Sequence, residues 1–239
     1  FMAAPFVTCL ILVGIHAYLG IHVLTRGVIF VDLALAQISA LGAAVAVLLG
    51  YDLDSTSAYY ISLLFTFIGA AVFSLTRVRH ERIPQEAIIG ITYAVAAAAV
   101  ILVMDRAPHG AEHIKDLMVG LILFVTWPKV IKTAAIYSAI GLFHWLFREK
   151  FLLISFDPEK AKQRGISIRL WDFLFYASFG FVVTSSVQIA GVLLVFSFLI
   201  VPAVGGVLLS SRLDVRLALG WIIGVIVSII GCSLSYGLN

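Results

Sequence analysis

Three groups of polar residues interrupt an otherwise apolar chain of 239 residues. The first is Asp32, followed by Gln37 and Ser39. A carboxylate at the centre of a membrane helix costs about 2.5–3.5 kcal/mol on insertion scales, so its presence implies a role. Ser39 falls close to two helical turns after Asp32 and therefore on the same face. These residues read as ion ligands lining a pathway. The alternative is an Asp32 close to the membrane interface and paired with Arg26. The second group is Pro108-His109-Gly110-Ala111-Glu112-His113, with Asp105 and Asp116 on either side. Imidazole and carboxylate are donors to Zn²⁺ and similar ions, and His109, Glu112 and His113 supply them at close spacing. The plainer alternative is a polar loop in which Glu112 and Asp116 open a helix favoured by its dipole. The third group spans Ser155 to Ile166. Asp157 before Pro158 is an N-cap and first-turn pair, and Gly165 is a stop. The segment predicts a charged helix of about two turns, either a docking surface for a soluble partner or a solvated connection.

Other chemistry is excluded. No lysine follows a glycine in a G-x-x-x-x-G-K-[ST] loop, so the chain does not cradle nucleotide phosphates that way. His80-Glu81 runs into Arg82-Ile83-Pro84 rather than completing H-E-x-x-H, and G-x-S-x-G is absent. His16, His22 and His144 read as hydrogen-bonded core residues, with His16 alternatively facing a pathway. Cys9 and Cys232 are too few for a disulfide framework and read as small buried residues.

These residues need elements to position them, and composition says which kind. Hydrophobic residues make up 62% and charged residues 12%, against about 45–50% and about 25% in soluble domains. Mean hydropathy is +1.10. The net charge of +3 is too small to suggest nucleic-acid binding. The predicted spans are 3–24, 28–50, 58–76, 85–104, 130–147, 170–186, 189–209 and 217–236, each near the roughly 20 residues a bilayer requires. Helices satisfy their own backbone in lipid, and the alternating ten-residue segments of a β-barrel are missing. The first run lacks a basic leader and reads as a mature helix rather than a cleaved signal. Small residues such as Gly42-Ala43-Ala44 allow close helix approach.

Lys and Arg orient the spans. Arg26, the segment 77–82, the segment 148–169 and the pair Arg212 and Arg216 hold 12 of the 16 basic residues and predict a cytoplasmic face. The acidic loop 51–57 and the mixed segment 105–116 belong outside. If the short run 114–127 crossed the membrane, the basic segment 148–169 would emerge on the wrong side. A re-entrant half-helix removes the conflict. The expectation is one polytopic all-α membrane domain over residues 1–239, with about eight transmembrane helices, one re-entrant half-helix and a cytoplasmic loop at about 155–166.

Three stretches make the chain resemble the membrane-subunit family of bacterial ABC importers for zinc, manganese and iron. Phe156-Asp157-Pro158-Glu159, with Ala161 and Gly165, looks like the family's coupling helix. Gly191 to Val195, continued by Leu199-Ile200-Val201-Pro202-Ala203, is similar to its penultimate span. Leu35-Ala36-Gln37 with Leu41-Gly42 is similar to its second span, and Glu86-Ala87-Ile88 with Gly90-Ile91 adds weaker support. The resemblance covers nearly the whole chain. It implies a fold similar to the vitamin B12 and siderophore importers, which have a short helix near the outer gate. It also implies a second permease copy, identical or not, a cytoplasmic ATPase that binds ATP, and an extracytoplasmic metal-binding protein. The location would be the bacterial cytoplasmic membrane, and the cargo a divalent metal ion that passes without tight binding as a cofactor. The family commonly pairs an Asp with a His about one turn later in the second span. Here the matching position is Gln37, with Asp32 offset by one residue, which leaves His109, Glu112 and His113 as candidate ligands at the outer mouth.

The leading expectation is therefore a non-catalytic metal-importer permease. The alternatives are a same-fold permease for another small cargo, favoured by Gln37, and an ion-coupled carrier without an ATPase. An intramembrane enzyme built on Asp32 and the histidines lacks a visible second carboxylate or nucleophile.

Overall fold

The computed structural model describes residues 2–77, 84–107 and 110–238, and among them every regular element is a helix. In chain order they are α1 (Ala3–Thr25), α2 (Val31–Leu48), α3 (Thr56–Thr76), α4 (Gln85–Met104), α5 (Gly110–Val119), α6 (Trp127–Leu146), α7 (Arg148–Phe156), α8 (Pro158–Gln163), α9 (Ile168–Leu209) and α10 (Leu213–Leu238), with a 3-10 turn at Ile122–Phe124.

The span count follows from lengths and packing partners. Six of these helices are long and apolar enough to cross a bilayer, and α6 qualifies together with α7, from which it is bent by 74°. At 42 residues, α9 would run about 63 Å as one rod, twice the roughly 30 Å hydrocarbon core. It is instead two arms divided at Gly191, which has φ 72° and ψ 167°. Before that break Ser186 meets His16. After it, a Cβ on Gly20 would touch the Leu199 carbonyl oxygen. A straight continuation would carry Leu199 towards the start of α1, so α9 folds back on itself. Both arms pack on α1, and α10 runs antiparallel to the second arm, with Gly220 over Pro202 and Gly206 over Arg216. With α9 counted as two arms and α6–α7 as one, the described residues hold eight segments of membrane-crossing length, consistent with the predicted count.

Two sets of ion pairs define the ends of the bundle. Arg26 at the end of α1 and Arg77 at the end of α3 both reach Asp172, near the start of α9. At the other end, Lys129 in the first turn of α6 reaches Asp54 in the α2–α3 loop at 2.8 Å. Asp54 and Lys129 thus share a face, so the chain between α4 and α6 dips and returns. Leu117 of α5 packs with Ala43, Ala44, Val100 and Met104, and Met118 reaches Gln37. Gly120 then turns the chain at φ 71°, and Leu121 donates its N–H to the Ile189 carbonyl.

The ends of most spans shift by up to four residues, and three further departures from expectation bear on the architecture. The re-entrant helix starts at Gly110 and stops at Val119, ahead of the predicted 114–127. The break in α9 lies at Gly191, beyond the predicted 187–188. Residues 148–156, read as connecting loop, form α7, which turns aside from α6 and buries Phe151, Ile154 and Ser155.

Candidate functional site

At the basic end of the bundle, α8 follows α7 with only Asp157 between them. An Asp157 side-chain oxygen accepts the Lys160 N–H at 3.1 Å, and Pro158 opens the helix. Gly165, at φ 72°, closes it, with the Ile166 N–H returning to the Ala161 carbonyl. Ala161 is buried, Pro158 half-buried, and Phe156, Asp157, Glu159, Lys160 and Lys162 are exposed. The result is a capped, charged helix rooted on one small side chain. A cavity of about 600 Å³ lies behind it, lined by Pro158, Glu159 and Lys162 on one side and by Arg77, Arg169 and Asp172 on the other.

A buried polar cluster lies beyond that cavity. Arg26 donates from Nη1 to Asp172 at 2.9 Å and from Nε to the Ser155 hydroxyl at 2.8 Å. Its guanidinium also lies 3.8 Å over the ring of Phe175. Arg77 donates to the other Asp172 oxygen. Arginine only donates, so the Ser155 hydroxyl accepts from Arg26, and it also pairs with His22 Nδ1, 2.8 Å away. The side chains of Arg26 and Asp172 are 2% and 0% exposed.

A second chain of hydrogen bonds starts one helical turn away. The Ser178 hydroxyl donates to the Phe175 carbonyl, so His144 Nε2 donates to Ser178 and its Nδ1 accepts from Tyr18. His144 also stacks on Phe151 of α7 at 4.2 Å. Farther along α1, His16 Nδ1 donates to the Leu12 carbonyl, leaving Nε2 facing Ser186 and, through it, Tyr137. All three histidines are thus hydrogen-bonded core residues.

The predicted pathway residues fall into two separate places. Asp32 sits in the first turn of α2 and is 1% exposed, with neither carboxylate oxygen hydrogen-bonded. Its suggested partner Arg26 is engaged by Asp172 instead. Gln37 and Ser39 are also buried within this one chain, and Gln37 Nε2 contacts the Met118 sulfur at 3.8 Å. Glu112 and His113, exposed and half-buried, lie near the start of α5, at the opposite end of the bundle from Asp32. His109 lies outside the described residues. Among the described residues, no three of His, Cys, Asp and Glu gather into a group able to hold a metal ion.

Sequence reasoning missed the Arg26, Ser155, Asp172 and Arg77 cluster. One signal was available: Asp172 falls within the predicted span 170–186, so the argument applied to Asp32 holds for it as well.

At the opposite face the Gly120 and Gly191 backbones touch. A Cβ on Gly120 would lie 2.2 Å from the Ala190 carbonyl carbon, and one on Gly191 would lie 2.5 Å from the Gly120 nitrogen. Beside this contact a second cavity, of about 480 Å³, is lined by Asp54, Leu121, Phe124, Lys129, Lys132 and Gln188.

A bundle of eight crossing segments, with a re-entrant helix at one end and a capped charged helix at the other, defines a polytopic membrane permease. The chain belongs to the ABC 3 transport family, whose model matches residues 1–239. It is 24% identical to the manganese transport system membrane protein MntC of Listeria monocytogenes, across 100% of this chain and 83% of that protein. It is 27% identical to a probable iron transport system membrane protein of Haemophilus influenzae, across 99% and 84%. Among solved structures it is similar to PsaBC from Streptococcus pneumoniae in complex with Fab, with TM-score 0.82 and 23% identity over 100% of this chain and 84% of that one. An inward-facing putative metal-chelate type ABC transporter matches with TM-score 0.74 and 18% identity over 99% and 77%. Both structural likenesses show the fold.

Proposed function

We propose that this chain is the membrane permease subunit of an ABC importer that moves a divalent metal ion, manganese, iron or zinc, into the bacterial cytoplasm. The observation that carries this reading is α8, a capped helix with five exposed charged residues, its two caps included, that stands off the basic end of the bundle beside a cavity. A permease working alone has no use for it. A separate cytoplasmic ATPase docks there, binds ATP and drives the cycle. Asp157, Pro158, Glu159 and Gly165 shape the docking helix, Ala161 fixes it to the protein, and Phe156 stands exposed beside it. A second permease copy, identical or related, completes the translocation path. An extracytoplasmic metal-binding protein delivers cargo at the α5 face, where His109, Glu112 and His113 are the candidate first ligands. Asp32, Gln37 and Ser39 are the candidate polar lining farther in. The manganese and iron transport relatives support this choice of cargo.

The test is reconstitution with the ATPase in liposomes and comparison of ATP-driven uptake of Mn²⁺, Fe²⁺ and Zn²⁺. Uptake that needs no ATP would replace this reading with an ion-coupled carrier. A second reading, another small cargo on the same fold, draws on Gln37, whose amide faces a thioether and is a weak ligand for a divalent cation. ATP hydrolysis stimulated by the binding protein but by none of the three metals would favour it.

A further inference from the structure

We propose that Arg26 is a positioning residue that carries movement of the α7–α8 unit into α1 and, through Asp172, into α3 and α9. The proposal rests on the reading of the chain as an ATP-driven permease and adds the route by which a docking helix is joined to the spans.

Helix α8 holds the bundle loosely. It has six residues, buries Ala161 and faces the cavity of about 600 Å³ on its inner side. Its firm connection is through α7, whose Phe151 and Ile154 are fully buried and whose Ser155 hydroxyl meets α1 at two points. Apolar contacts transmit displacement without a preferred direction, whereas hydrogen bonds to a charged group have one. Ser155 is therefore the place where displacement of α7 is transmitted with direction.

Arg26 turns that displacement into movement of several helices. A guanidinium is a planar fork whose donors cannot move independently. Nε is fixed to Ser155, Nη1 to Asp172, and the plane to the face of Phe175. Shifting Ser155 tilts the plane and pulls on Asp172, whose other oxygen holds Arg77 at the end of α3. One carboxylate thus joins the inner ends of three spans. Two buried nitrogens in the same cluster, Arg26 Nη2 and His22 Nε2, have no hydrogen-bond partner. Unpaired buried polar atoms are unfavourable, and they leave the cluster with capacity for a second arrangement of bonds.

The experiment uses the reconstituted permease–ATPase complex and compares Ser155→Ala, Arg26→Lys and Ser155→Thr with the unmodified protein. Ser155→Ala removes the bridging hydroxyl and leaves every charge in place. Arg26→Lys keeps the charge and removes the fork. The readouts are metal moved per ATP hydrolysed and nucleotide-dependent hydrogen exchange over residues 20–27. For Ser155→Ala and Arg26→Lys, assembly and ATP hydrolysis should stay within about two-fold while metal moved per ATP falls about five-fold or more, in the range of ordinary coupling energies. Ser155→Thr should restore it. Unchanged transport per ATP in both variants overturns the proposal, and so does loss of assembly in Ser155→Ala, which would make the contact structural only. If the unmodified complex moves no metal but nucleotide still alters exchange over 20–27, the importer reading falls and the relay stands. If it transports with no nucleotide response there, the relay falls alone.

Discussion

Two buried aspartates in this chain make opposite predictions. Asp172 is shared by two guanidiniums, so Asp172→Asn takes the shared counter-charge from both. Breaking a buried ion pair costs about 3–5 kcal/mol, and the thermal midpoint of the detergent-solubilised protein should fall sharply. Asp32 has no hydrogen-bond partner to lose. Asp32→Asn should leave that midpoint unchanged or raised, and only a fall in metal uptake would mark it as a pathway residue. A clear loss of stability would instead show that its carboxylate is held by the fold. The sequence made Asp32 conspicuous because a carboxylate in an apolar run is legible from residue type alone. Its environment was not legible, because Arg26, the nearest cation in sequence, is taken by a carboxylate 146 positions away. Such pairings depend on how α1 and α9 pack, which no local pattern encodes.

A helix whose signals are local is legible in the sequence, and one made by packing is not. Asp157, Pro158 and Gly165 carry the start and stop of α8 in their own chemistry. Asp157→Ala should remove the cap at about 1 kcal/mol. The loss should be confined to α8 and detectable as faster amide exchange at Lys160 and weaker ATPase binding, with the bundle's thermal midpoint unmoved. Helix α7 has no such signal. Its nine residues are too few to be stable alone, and it persists because Phe151 and Ile154 fill the core beside His144 and Trp171. The predicted spans divide at 187–188, whereas the backbone reverses at Gly191, a residue free to adopt positive φ. Gly191→Ala should bring about 1–3 kcal/mol of backbone strain, because positive φ with ψ 167° is a region essentially reserved for glycine, and the clash with Gly120 adds to it. Ala190→Gly, which leaves that contact open, should be tolerated. Equal thermal midpoints for Gly191→Ala and the unmodified protein would show that the touching backbones are not a constraint.

Across the whole molecule, sidedness was legible because a few charges must all satisfy one rule. Counting basic residues required the segment after α4 to return to its own side, and the Lys129 to Asp54 contact, with Leu121 bonded to Ile189, shows it doing so. Helix α5 has ten residues, about 15 Å of rise against a core of about 30 Å. It enters to the level of Gln37 and turns at Gly120. This geometry makes a topological prediction that does not depend on cargo. In a background with Cys9 and Cys232 replaced, Asp105→Cys and Trp127→Cys bracket α5, and both positions are exposed. A membrane-impermeant maleimide applied to intact cells should label both, while Arg164→Cys beside α8 should react only after the membrane is opened. Labelling of Asp105→Cys but not Trp127→Cys would mean that α5 crosses, reversing every later span. That result would also place α8 outside, away from ATP, so the same pattern tests whether the docking helix can meet its motor at all.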